Sequence, residues 1–177
     1  MRRLYRGALV ILAVIVVAFV SQKIFGDKAV APHLVSSQPV AAIGSGEEAV
    51  AVADDGTVLT WFSVPEDSDL PQLSLASAPK GPRVQGPVLE QVRVLAAAPA
   101  ALRPYVEASH FGESGVGVEL TSGIELRFGY AVDAQRKWKA AAAVLADQSI
   151  TALDYVNLLA PGRPMVGGSG HTLPPLE

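Results

Sequence analysis

The run from Val116 to Val156 constrains the fold more than any other part of the chain, because it holds consecutive, well-bounded elements with almost nothing between them. Val116, Val118 and Leu120 alternate with Gly117 and Glu119, Thr121-Ser122-Gly123 interrupts, and Ile124-Glu125-Leu126-Arg127-Phe128 alternates again to Gly129. Alternation of period two around a Gly-containing turn predicts a β-hairpin with one apolar face, leaving Glu119 and Glu125 on the solvated one. Asp133 stands where an N-cap would, ahead of Trp138, Ala141, Ala142 and Leu145 at the i, i+3, i+4, i+7 spacing of a core-facing helix that reaches Asp147. Arg136, Lys137 and Lys139 then read as its solvated basic face. After Gln148-Ser149, the β-rich segment Ile150–Val156 predicts a strand with Ile150, Ala152, Asp154 and Val156 on one face and Thr151, Leu153 and Tyr155 on the other.

Upstream, Gln38–Ile43 leads to two apolar runs, Ala49–Ala53 and Thr57–Phe62, separated by Asp54-Asp55-Gly56, a strong hairpin signal because Gly supplies the positive φ of the turn. The acidic pair reads as turn chemistry rather than a metal site. Ala76–Pro87 is rich in Pro, Gly and Ser and predicts a loop or crossover. Val88, Leu89, Val92, Leu95 and Ala96 mark one helical face ended by Pro99, and Leu102, Tyr105 and Val106 form a short amphipathic turn around Pro104. From Gly167 onward the Gly- and Pro-rich tail is expected to be disordered.

A chain of 177 residues, half of them apolar, can bury one domain-sized core. Its net charge of −3 supplies no basic field for nucleic acid, and the absence of cysteine excludes disulfides, thiolate metal sites and a lipoprotein anchor. Gly7–Phe25, uninterruptedly apolar as far as Val20, spans roughly 28 Å at about 1.5 Å per helical residue, close to the thickness of a bilayer core. Arg2, Arg3 and Arg6 precede it, so the amino terminus is expected to stay in the cytoplasm and the rest of the chain to lie outside. Pro32 after Ala29-Val30-Ala31 argues against cleavage, so the segment reads as an uncleaved anchor rather than a signal peptide.

In order and spacing, Val118–Gly129, Lys137, Ala143-Val144-Leu145 and Leu153-Asp154 resemble the carboxy-terminal half of the β domain of the FtsQ/DivIB cell-division family. Pro39-Val40-Ala41, the Asp-Gly turn and Leu70-Pro71 resemble that domain's entry. The fold class implied is α+β: a single amino-terminal transmembrane helix, then a mostly antiparallel sheet with helices packed on one face. The corresponding division is a cytoplasmic tail at 1–6, an anchor at 7–25, a linker at 26–37, the β domain at 38–166 and a disordered tail at 167–177. The short linker leaves no room for the POTRA domain that the family normally carries.

The resemblance implies a bitopic divisome scaffold at the septum, not an enzyme, without cofactor, metal, nucleic acid or small-molecule substrate, binding partners of the FtsB and FtsL type. The family places its partner strand along the last edge of the sheet. Here that implies contact by Arg163, Met165 and Val166, bordered by Tyr155 and Asn157, with Pro164 unable to donate a ladder bond. Gly123, Gly129, Lys137 and Asp154 are then structural positions, Lys137 and Asp154 orienting the helix against the last strands by polar contacts. The alternatives are a single-pass envelope interaction module unrelated to division and a periplasmic hydrolase. For a hydrolase His33, His110 and His171 are the candidate bases, but each falls in a linker, loop or tail with no Gly-x-Ser-x-Gly nearby. Gly115-Val116-Gly117 begins like a phosphate loop, yet Leu120 stands where the third glycine belongs.

Overall fold

The computed structural model describes residues 38–75, 79 and 81–175. Gly7–Phe25, expected as the anchor, lies outside them; among the described residues no helix is long and apolar enough to cross a membrane. The described chain builds one nine-stranded sheet. Its strands are β1 (Pro39–Ile43), β2 (Val50–Ala53), β3 (Val58–Ser63), β4 (Gln72–Leu73), β5 (Val106–Gly112), β6 (Gly115–Leu120), β7 (Glu125–Gly129), β8 (Ala152–Asn157) and β9 (Met165–Thr172). Two helices, α1 (Pro87–Ala96) and α2 (Ala134–Leu145), complete it with short 3₁₀ turns at Gly46–Glu48 and Arg103–Tyr105.

The spatial order is β3-β2-β1-β4-β5-β6-β7-β8-β9. Neighbours that follow one another through tight turns pair antiparallel, as β2–β3, β5–β6 and β6–β7 do. Where β4 meets β5 and β7 meets β8 the pairing is parallel, and each of those connections carries a helix. Parallel neighbours need a long crossover, and a helix laid over the sheet buries both its own apolar stripe and the sheet face beneath it. The predicted α+β class, with a mostly antiparallel sheet, is the fold observed.

Val92, Leu95, Trp138, Ala141 and Leu145 from the helices pack with Val116, Val118, Leu120, Leu126 and Phe128 from the central hairpin in one core. The predicted alternation of that hairpin holds: Val118, Leu120, Leu126 and Phe128 are buried, Glu119 is exposed, and Glu125 and Arg127 are half-buried. Trp138 links the layers, its ring 4.8 Å from that of Phe128 and its indole N–H donating to the Val94 carbonyl at 2.7 Å. On the opposite face of the first three strands, Ala51, Ala53 and Leu59 are covered by Phe62, Val64 and Leu70.

Five sequence expectations need correction. Val106–Gly112, read as a turn and a loop, is strand β5, so His110 sits on a strand; its apolar alternation is broken by Ser109, which is buried because its hydroxyl donates to the Gly117 carbonyl at 3.0 Å. Gly167–Thr172, expected to be disordered, continues β9, which carries His171 on a strand as well. Asp133 does precede α2, but with φ 57 and no side-chain bond to the helix, so it caps by position only. Lys137 is not on a solvated basic face: it is buried. Finally, Asp154, expected to orient the helix against the last strands, instead accepts the Gly170 N–H and ties β8 to β9.

Candidate functional site

Among the described residues the sheet ends at β3 on one side and at β9 on the other, and the carboxy-terminal edge carries the residues singled out from sequence. β9 pairs antiparallel with β8 so that Asn157 faces Met165, Val156 faces Val166 and Tyr155 faces Gly167. Met165 is 68% exposed and Val166 45%, large apolar side chains on the outermost strand. Arg163 is exposed in the turn before β9, its N–H donating to the Ala160 carbonyl at 2.9 Å. Asn157 organises the start of that turn, its side-chain oxygen accepting the Leu159 N–H at 3.0 Å. Tyr155, Asn157, Met165 and Val166 are therefore brought together on adjacent strands, with Arg163 two residues before β9.

Tyr155 is held from both sides. Its ring lies over Gly167, where an added Cβ would approach it to 2.6 Å, and the Arg127 guanidinium stands 4.0 Å from the ring centroid. Arg127 is fixed in turn by Glu125, whose carboxylate accepts its Nε–H at 2.7 Å and also lies 3.5 Å from His110 Nε2. A polar row thus crosses four strands from His110 on β5 to Tyr155 on β8 on the half-exposed face of the sheet. Sequence reasoning missed this row, since its members lie up to 45 residues apart; the one local sign was the Glu125-x-Arg127 spacing, which puts both side chains on one face of a strand.

The four structural positions have separate duties. Lys137 donates from Nζ to the carbonyls of Phe128 and Tyr130, both at 2.8 Å, and so ties α2 to the end of β7. Burial pushes its ammonium below the usual lysine range, and the carboxylates of Asp133 and Glu90 pull it partly back. Between its two acceptors Gly129 adopts φ 71, and the Leu159 side chain packs against it where a Cβ would stand. Gly123 lies under the His171 ring. Asp154 turns the other way from α2, accepting the Gly170 N–H on Oδ1 at 2.6 Å. Lys137 and Asp154 therefore have different partners, helix to β7 for one and β8 to β9 for the other.

His110 has Glu125 beside it, and the adjacent Ser109 is buried and donates to a backbone carbonyl. His33 lies outside the described residues. Among the described residues no three His, Asp or Glu side chains gather as a metal-binding group.

An α+β domain whose sheet ends in an open strand lined by exposed apolar side chains has the form to which another chain can add a strand. The family model described as cell division protein FtsQ/DivIB, C-terminal, matches residues 41–158, two thirds of the sequence, and the chain belongs to that family. The matched span starts inside β1 and stops just after β8, so β9 lies beyond it. No curated protein matches the chain. Family membership gives it a role related to cell division.

Proposed function

We propose that this chain is a membrane-anchored scaffold of the division machinery, whose sheet domain captures a partner by accepting a strand along β9. The observation that carries this reading is the edge itself: Met165 and Val166, exposed large hydrophobics, stand on the last strand of the sheet, beyond which no further strand pairs among the described residues. Main-chain groups on such an edge supply affinity for an added strand, and alternate side chains supply selectivity. Family membership supports partners of the FtsB and FtsL type and action at the septum. The run Gly7–Phe25, apolar throughout as far as Val20 and preceded by three arginines, supports a single anchor with the domain outside the cytoplasm. A scaffold rather than a hydrolase is favoured because Glu125, the carboxylate beside His110, is committed to Arg127, and the adjacent Ser109 donates to a backbone carbonyl.

Deletion from Gly162 onward would remove β9 and uncover β8, creating a new edge, so substitution is the cleaner test. Met165→Asp and Val166→Asp in the full-length chain place carboxylates on the edge without removing the strand. Capture of purified FtsB- and FtsL-type proteins is expected to be lost in the double variant, with the circular dichroism spectrum and melting temperature kept. Undiminished capture by the folded variant overturns the site.

A further inference from the structure

β8 and β9 are paired in two registers at once. Leu153 faces His171 and Ala152 faces Thr172, whereas Tyr155 faces Gly167, Val156 faces Val166 and Asn157 faces Met165. Between the two blocks β8 contributes one residue, Asp154, and β9 contributes three, Gly168, Ser169 and Gly170, so the blocks are out of step by two residues. Slipping a strand by one residue would send every side chain to the wrong face, but slipping it by two leaves each on its own face. The hydrophobic pattern therefore has no means of choosing between the two registers for Met165–Gly167.

Asp154 does have the means. Its carboxylate occupies the space over the bulge, accepting the Gly170 N–H at 2.6 Å where the ladder has no residue to offer. Both flanking positions are glycine for that reason. A Cβ on Gly170 would meet Oδ1 at 2.6 Å, and one on Gly168, which has φ 81, would coincide with the carboxylate. A longer bulge held by a side chain rather than by backbone pairing is a point where the strand can be released.

We propose that Asp154 is the register lock of the edge strand: by holding the bulge at Gly168–Gly170, it decides which residues of β9 stand opposite Tyr155 and Asn157. Without the lock, β9 extends the register of its far half, so that Tyr155 faces Ser169 and Asn157 faces Gly167. Met165 and Val166 are then carried past the end of β8, and the edge offered to a partner is a different one. Asp154 is in this sense a positioning residue, acting on the partner through β9. That consequence rests on the proposed edge site; the register itself does not.

The chain contains no cysteine, so engineered pairs report register without interference. Directly opposed residues of an antiparallel pair have Cα atoms about 4.5 or 5.5 Å apart, within disulfide reach. In the full-length chain, N157C/M165C is expected to cross-link on mild oxidation with copper phenanthroline, and Y155C/S169C to stay reduced. Adding Asp154→Ala, or Asp154→Ser, which is too short to reach Gly170, should reverse that pattern. Asp154→Asn keeps both the volume and an acceptor oxygen and should preserve the original pattern, whereas Asp154→Leu, which fills the space without an acceptor, should reverse it. If a folded Ala or Ser variant still cross-links N157C/M165C and leaves Y155C/S169C reduced, the lock is wrong. Because no partner is present in this experiment, that outcome leaves the edge site standing, while loss of the edge site through the Asp substitutions leaves the register result intact.

Discussion

The indole N–H of Trp138 donates to the main-chain carbonyl of Val94 at 2.7 Å, joining the second helix to the last turn of the first. That carbonyl would otherwise be one of the orphan acceptors at a helix end, since the Ala98 N–H turns to Leu95 instead. The same helix end gains a second donor from Arg103, whose Nε–H reaches the Ala98 carbonyl at 3.0 Å. The second crossover helix thus completes the hydrogen bonding of the first above the sheet.

Trp138→Phe keeps most of the ring against Phe128 but strands the Val94 carbonyl in the core. Leaving a buried acceptor unsatisfied costs about 1–3 kcal/mol. Trp138→Ala adds the loss of a fully buried aromatic, about 3–5 kcal/mol, and is expected to leave the domain unfolded or nearly so. Urea titration of both variants checks the order; a Trp138→Phe variant as stable as wild type would mean that the hydrogen bond contributes nothing.

Lys137→Met should destabilise by a similar about 1–3 kcal/mol, because the carbonyls of Phe128 and Tyr130 both lose their donor. The size of this loss depends on pH. Burial lowers the pKa of Lys137 in the folded state, so between that value and the unfolded one, about 10.4, the unfolded chain binds more protons and stability rises with pH. The gap between wild type and Lys137→Met is therefore expected to widen from neutral pH toward pH 10. A gap that narrows over that range would contradict the burial of a charged amine here.

Asp55 has the opposite sign. Its carboxylate accepts the Thr57 hydroxyl and the Thr57 N–H, both at 2.9 Å, and Arg83 stands 2.8 Å away; these hold its pKa below the usual carboxylate value. The stability this contributes is present above about pH 4 and is lost as pH falls through the folded value. Asp55 is exposed, so the effect is small, less than about 1 kcal/mol. Denaturant midpoints of wild type and Asp55→Asn should differ at pH 7 and converge at pH 2; a difference that persists in acid would rule out the carboxylate as its source.

The misreadings share a cause. Lys137 looked exposed because Arg136 and Lys139 flank it, yet on a helix those neighbours point away from it, and its own direction is that of Trp138 and Ala141, toward the core. Gly167–Thr172 looked disordered because glycine has little strand propensity. In place, Gly167 and Gly168 are what allow the Tyr155 ring and the Asp154 carboxylate to lie against the strand. Arg127 and Tyr155 touch across 28 residues of sequence, and no pattern local to either one announces it.

What the sequence determined by itself is whatever a short window of residues can encode. The central hairpin from Val116 to Gly129, the helical stripe of Trp138, Ala141 and Leu145, and the Asp-Gly turn before Thr57 follow from periods of 2 and 3.6 and from glycine at the turn. Together with their order along the chain they sufficed to indicate the family. Tertiary structure alone decided that β4 pairs with β5 and β7 with β8 in parallel, that β5 is a strand despite its polar centre, and that β9 closes the sheet with a bulge around Asp154. Each of those outcomes depends on which distant backbone supplies the missing hydrogen-bond partner, and that is settled by the packing of the whole sheet rather than by any neighbour in sequence.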